Sequence, residues 1–416
     1  MTESSNENLK SDDAAKKKKP TSSIEYGDMS IIPVIDAVDG IKFDFNSGVR
    51  VYLPENGKEY VVTFTDLDTG VILFNDTVKP GSVLSSVKKF YTRFGIVVRE
   101  KESNAVVFKH DMDLTGKDVM IQLPVKTLGD SIAWFSYVER FAKKHKCKVI
   151  CVMNPMVSDL VRNQYPDIVF IDKSDTMKYK PYASYYIGLF FKGNVDNQPV
   201  DFRYAGLHKT AGYILGLEGD DLSDLPPRFD LSAPKIIKEK YVCIAVQSSS
   251  KAKFWNHPTG WFEVVEFLKS NGYRVLCIDK DKACGRDLHW NYIPYGAENF
   301  TGALPLQSRI NLIKDADFFI GLSSGLSWLA WGCNVPIVMI SGFTHPENEF
   351  YTPYRVINYH VCNSCWNDMR VEFDNTDFMW CPRHKDDKRQ FECSRLITPK
   401  QVIETIKKVP TFKPFK

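Results

Sequence analysis

The period of apolar positions changes partway along the chain. Between residue 30 and about residue 113, apolar and polar side chains alternate in short runs: Ile41-Lys42-Phe43-Asp44-Phe45, Val49-Arg50-Val51-Tyr52-Leu53, Tyr60-Val61-Val62-Thr63-Phe64 and Val71-Ile72-Leu73-Phe74. Asn46-Ser47-Gly48, Glu55-Asn56-Gly57 and Asp68-Thr69-Gly70 stand between these runs. Turn-forming residues between period-two runs predict antiparallel strands in a meander, so residues 30–115 are expected to form an N-terminal all-β domain. Beyond it the period becomes strand, loop, helix. Residues 119–123, 148–153 and 168–172 read as buried strands, and 130–144 and 157–164 as amphipathic helices. A second set has strands at 241–246, 273–279, 316–320 and 336–340 and a helix at 260–270. Strands alternating with helices predict parallel sheets covered on both faces. Pro226, Pro227 and Pro234 mark 222–235 as a linker. The expected fold class is therefore α/β: two Rossmann-like domains, 116–225 and 226–416, facing a cleft of the kind that holds small molecules. Thr398-Pro399 opens a last helix through Lys408, with Thr as cap and Pro in the first turn. The first 29 residues are Ser, Asn, Asp and Lys with almost no apolar content, which predicts a disordered tail.

Composition narrows the classes of function. The chain has 416 residues, 44% hydrophobic and 25% charged, which suits a soluble protein with several cores and excludes wholesale disorder. No run approaches the roughly 20 apolar residues of a membrane span, and no apolar segment follows Lys16–Lys19 as in a secretion signal, so no membrane span and a cytoplasmic location are expected. A net charge of +3 offers nothing global to draw the protein to nucleic acid. Of the ten cysteines, Cys147, Cys151, Cys243, Cys277, Cys284 and Cys333 are scattered through the middle of the chain and read as buried reduced thiols. The other four form Cys362-x2-Cys365-x15-Cys381-x11-Cys393. Disulfides are disfavoured in the cytosol, and the close first pair lets one loop grip a metal from two sides, so a structural four-thiolate site within 359–396 is expected. Zinc and iron both suit tetrahedral sulfur. His384 is the competing ligand nearby.

Three loops carry candidate chemistry. Lys126-Thr127-Leu128-Gly129-Asp130 joins the first strand of the first set to its helix. Gly129 lets the backbone approach a ligand, and Asp130 is either a carboxylate aimed into the cleft or a residue of the helix's first turn that complements its dipole. Gln247-Ser248-Ser249-Ser250-Lys251-Ala252-Lys253-Phe254-Trp255 follows the first strand of the second set, offering hydroxyls and a cation to phosphate. Gly321-Leu322-Ser323-Ser324-Gly325-Leu326-Ser327-Trp328 runs from a strand through a small-residue turn into a helix, where free N–H groups receive anions. Asp279 ends a strand, the place where such domains hold a ribose hydroxyl or simply turn the chain.

Taken in order, Gly129-Asp130, Lys253-Phe254-Trp255 and Ser323-Ser324-Gly325-Leu326-Ser327-Trp328 resemble the motifs of the family 9 glycosyltransferases, heptosyltransferases of the GT-B fold. Ser323 and Trp328 stand where that family has Asp and His. The β domain and the four-cysteine insertion together resemble the bacterial autotransporter heptosyltransferases. The resemblance implies transfer of heptose from ADP-heptose to serines of an autotransporter adhesin passenger domain, with inversion in a single displacement. It also implies an acceptor side in 116–225 and a donor side in 226–416, iron bound by the four cysteines, and a ring-shaped homo-oligomer, a dodecamer. Asp130 is then the general base. Thr127, Leu128, Gly129, Ser248, Ser249, Lys253, Asp279, Ser324, Gly325, Leu326 and Ser327 are the expected donor contacts. The rival readings are another GT-B glycosyltransferase, such as a lipopolysaccharide heptosyltransferase, and a non-catalytic metal-stabilised assembly protein.

Overall fold

The computed structural model describes residues 26–191 and 195–415. The tail expected over 1–29 lies outside the described residues as far as residue 25. Its last four residues belong to the fold: the Gly27 amide donates to Gln122 Oε1 at 2.8 Å, and the Tyr26 ring meets Tyr186 edge-on at 4.5 Å.

Two parallel sheets organise the molecule. The first runs in the order Ile168–Ile171, Lys148–Met153, Asp118–Leu123, Ala183–Tyr186 and Lys42–Asn46, all parallel, and continues antiparallel through Arg50–Tyr52 and Val83–Ser85. Part of the N-terminal region extends this sheet. Lys42–Asn46 pairs with Ala183–Tyr186, Phe45 opposite Ala183 and Asn46 opposite Ser184, so sheet hydrogen bonds cross the boundary placed at 115. Alternation in that strand does not mark a wet face, because Phe43, Asp44, Phe45 and Asn46 are all buried. Partners inside the fold hold the polar pair: Asp44 takes an ion pair from Arg50 at 2.6 Å, and Asn46 Nδ2 donates to the Pro181 carbonyl at 3.0 Å, while Asn46 Oδ1 is buried without a hydrogen-bond partner. The rest of the N-terminal region forms an antiparallel sheet in the order Ile72–Val78, Tyr60–Asp66, Phe94–Glu100, Val106–Asp111.

The second parallel sheet has the order Glu298–Asn299, Arg274–Cys277, Tyr241–Ile244, Phe319–Leu322, Ile337–Ile340, Arg355–Val356. Its central strands are buried at every position, as a sheet covered on both faces requires. Helix Pro399–Ile406 packs on it through Val402 and Ile406 and starts from a capping box between Thr398 and Gln401. Of the six scattered cysteines, Cys151, Cys243, Cys277 and Cys333 are buried, while Cys147 and Cys284 are half-buried. Among the described residues no helix is long and apolar enough to cross a membrane.

Candidate active site

A cavity of about 2340 Å³ lies where the loops after the strands of both sheets converge. Helix Leu128–His145 points its first turn into it, and helix Gly325–Gly332 from the other half meets that turn. The two starts touch with a glycine on each side of the contact. A Cβ on Gly325 would sit 3.0 Å from Leu128 Cβ and 3.2 Å from the Gly129 nitrogen, and one on Gly129 would sit 3.1 Å from Trp328 Cδ1. Glycine at both places lets the two starts pack closely and brings two helix N-termini, each with unpaired N–H groups, to one cavity wall.

Asp130 stands in the first turn of its helix and lines the cavity. Its carboxylate accepts the Thr127 hydroxyl proton, so Thr127 orients the acid instead of capping the helix. Burial raises the Asp130 pKa above the usual carboxylate range, against the lowering pull of Thr127 and of the Lys253 charge. Lys253 ends the single turn Lys251–Lys253, which Ser250 starts by accepting the Ala252 amide at 3.3 Å. Its ammonium lies 5.5 Å from the Phe343 ring centre and 5.9 Å from that of Trp366. Burial lowers its pKa, while Asp130 and Glu349 hold it up. The cavity thus sets a carboxylate and an ammonium within electrostatic reach of one another.

The other expected contacts divide. Thr127, Leu128, Gly129, Ser248, Ser249, Ser324, Gly325 and Leu326 line the same cavity. The Ser324 hydroxyl is buried without a hydrogen-bond partner, a free polar atom at the start of its helix. Ser327 does not line the cavity; its hydroxyl turns inward and donates to the Leu322 carbonyl at 2.5 Å, tying the helix back to the strand before it. Asp279 reaches the wall, but its two oxygens accept the Val246 amide at 2.8 Å and the Gln247 amide at 3.2 Å. It pins the backbone of the loop that follows Tyr241–Ile244, and burial pushes its pKa up to about 6.

Three residues of the site escaped the motifs. Glu349, buried beside Arg355 at 3.1 Å, accepts the Ser323 hydroxyl, so a carboxylate stands at the position where Ser replaces Asp. Arg309 is buried at the wall, with Nη2 on the carbonyls of Asp279 and Gly302 and Nη1 without a partner. Trp366 comes from the cysteine insertion. Each lies outside the three loop signatures, and only the tertiary fold brings it in. Trp328 packs its ring against Trp331, Phe350 and His208 at centroid distances of 5.5, 4.9 and 5.7 Å and serves as an apolar wall.

Within the insertion, Cys362 is central. Burial raises the pKa of Cys365, Cys381 and Cys393, and the nearby Cys362 raises each of them further, so the four cysteines lie within electrostatic reach of one another. Cys362, His384 and Glu392 also offer ligand atoms within 4.8 Å of one another. Glu392 is already engaged, accepting the Cys362 amide at 2.9 Å and Arg389 at 2.6 Å, and His384 Nδ1 meets Asp387 at 2.9 Å. Soft thiol donors of this kind suit iron or zinc.

Comparison with known proteins places this geometry. A model described as the N-terminal domain of glycosyltransferase TibC matches residues 38–113, and the family 9 glycosyltransferase (heptosyltransferase) model matches 202–377. Over 381 residues the chain is 51% identical to autotransporter heptosyltransferase Aah of Escherichia coli, covering 92% of this chain and 96% of that protein. The chain belongs to the autotransporter heptosyltransferases. A solved structure of that family, the dodecameric iron-containing heptosyltransferase TibC in complex with ADP-D-beta-D-heptose, superposes with a TM-score of 0.88 at 48% identity, covering 92% of this chain and 98% of that one. An autotransporter heptosyltransferase described as inactive, BimC of Burkholderia thailandensis, is 38% identical over 91% of this chain and 88% of its own length. The family 9 match spans Lys253, the Ser323–Trp328 turn and the first two cysteines of the insertion.

Proposed function

We propose that the protein is a GT-B enzyme that transfers heptose from ADP-heptose to serine hydroxyls of an autotransporter adhesin passenger domain, acting in the cytoplasm before export. The observation that carries this reading is the pairing of Asp130 with Lys253 in one cavity between two parallel sheets, in a chain about half identical to named heptosyltransferases. A serine hydroxyl is a weak nucleophile, so the oxygen attacks the anomeric carbon as Asp130 takes its proton. The bond from that carbon to the diphosphate oxygen breaks, the electron pair leaves with ADP, and the anomeric centre inverts. Lys253, the hydroxyls of Ser248 and Ser249, and the helix start at Ser324–Leu326 face the charge that grows on the leaving group. On this reading Asp279 acts through the loop it pins, and Ser327 through its helix.

The four cysteines hold iron as a closed structural site, and the assembled form is a dodecameric ring. Thiolate sulfur satisfies the metal without an open position, so no step of transfer runs through it. The inactive relative BimC makes a non-catalytic assembly role the second reading. The two separate by experiment. Mass spectrometry of an adhesin passenger co-expressed with the protein is expected to show heptose-sized additions on serine. Those additions disappear with Asp130→Ala, while calorimetry still detects ADP-heptose binding. An unmodified passenger beside the wild-type protein, or full modification by the variant, overturns the assignment.

A further inference from the structure

The cysteine insertion extends well beyond its own sulfur cluster. Trp366 follows Cys365 directly, and Trp380 directly precedes Cys381, so two aromatic rings are one peptide bond from expected metal ligands. Those rings form a cluster with Phe343 and Phe373: Trp366 to Phe373 is 5.3 Å, Phe373 to Trp380 is 5.1 Å, and Phe343 meets Trp366 at 5.8 Å and Trp380 at 5.5 Å. Phe343, Trp366 and Phe373 line the catalytic cavity, and the first two lie within 6 Å of the Lys253 ammonium. Trp366 is fixed at its other end as well. Its indole N–H donates to Asn348 Oδ1 at 2.9 Å, while Asn348 Nδ2 donates to Glu349 at 3.2 Å. One side chain of the insertion therefore touches both the cation and the support of the carboxylate beside it. A flexible Lys held against two ring faces loses its freedom to swing away.

We infer that Trp366 and Phe343 are positioning residues for Lys253, and that the insertion is a wall of the donor site as well as a metal clamp. This rests on the reading that Lys253 faces the departing diphosphate. The test is steady-state kinetics with ADP-heptose and a passenger acceptor, using the full-length, metal-loaded assembly of each variant. Trp366→Leu is expected to lower kcat by roughly 3- to 30-fold, the range of a desolvated cation–π contact. KM for ADP-heptose is expected to stay within about twofold, because a contact used in the transition state lowers kcat and kcat/KM together. Trp366→Phe, which keeps a ring face, should recover most of the loss, and iron content and assembly size should match wild type. Phe343→Leu supplies a second reading if Trp366→Leu does not fold. Wild-type kcat in both leucine variants beside an inactive Lys253→Ala overturns the inference alone. A near-normal Lys253→Ala overturns the role of Lys253 itself. Equal losses in Trp366→Leu and Trp366→Phe accompanied by lost iron mean a structural role only, and reject the inference.

Discussion

Asp279 is 2% exposed, and its position at the end of a strand suits two roles. The hydrogen bonds decide between them, since both oxygens are engaged by the amides of Val246 and Gln247. Asp279→Ala strips two buried N–H groups of their acceptor, which costs on the order of 1–3 kcal/mol each. A lower urea midpoint with an unchanged m value checks this. Asp279→Asn keeps an acceptor and should lose much less. The sign of the pH effect follows from burial: a carboxyl whose folded pKa is raised to about 6 contributes most below its unfolded value, and the contribution is lost as pH rises through about 6. Wild-type stability should therefore fall relative to Asp279→Asn across that window. Asp130 and Lys253 are shifted by burial in opposite directions, the acid up and the base down. The proposed mechanism needs Asp130 ionised and Lys253 protonated, so the profile of kcat/KM against pH is expected to be a narrowed bell. Its acid limb should lie above the ordinary carboxylate value and its alkaline limb below the ordinary lysine value. In Lys253→Arg any activity that remains should lose the alkaline limb, because a guanidinium keeps its proton.

At the scale of elements, the site depends on two helices starting in contact. Gly325→Val places branched carbons where a single Cβ already meets Leu128 at 3.0 Å, so the halves must part. Overpacking of this kind costs roughly 1–3 kcal/mol. A drop in melting temperature together with a larger fractional loss of kcat/KM is expected, and a variant with normal turnover would show that the contact has no part in building the site. The sequence made several of these elements readable. Strands 119–123 and 148–153 and the helix after Thr398 show strong periodicity or clear caps, and they appear as Asp118–Leu123, Lys148–Met153 and Pro399–Ile406. What stayed hidden was long-range. Ala183–Tyr186 is too short for a period, and it joins Lys42–Asn46 to Asp118–Leu123, strands far apart in the chain. The burial of Asn46 brings it to the Pro181 carbonyl, a partner that no local pattern specifies. The same limit holds in the site: Asp130 and Lys253 sit in recognisable loops, whereas Glu349 and Arg309 reach the cavity from segments without a signature.

For the molecule as a whole, the insertion tests how far the parts are independent. Between Cys362 and Cys393 the regular structure comprises the turn Cys365–Asn367 and the start of helix Glu392–Arg395. Most of its apolar contacts form a small cluster around Phe343, Cys365, Trp380 and Phe391, while Phe378 belongs to the core of the second parallel sheet. Such a segment buries little apolar surface to offset its ordering entropy, so on the proposed four-thiolate reading the metal supplies much of its order. Replacing Cys362 and Cys381 with Ser should therefore abolish iron binding and release amide protection across residues 359–396. The strands Tyr241–Ile244 and Phe319–Leu322 should remain protected, because their burial does not depend on the insertion. The turn at Lys253 is the informative place between these extremes. It hydrogen-bonds into the insertion through the Lys251 amide and the Phe378 carbonyl, and Ala252 sits in the insertion's own cluster. Hydrogen exchange should show that turn loosening with the insertion while Asp130 and its helix stay ordered. Protection lost evenly over both sheets would mean that the metal holds the entire fold, and protection unchanged at 359–396 would mean that the four thiols are not its clamp.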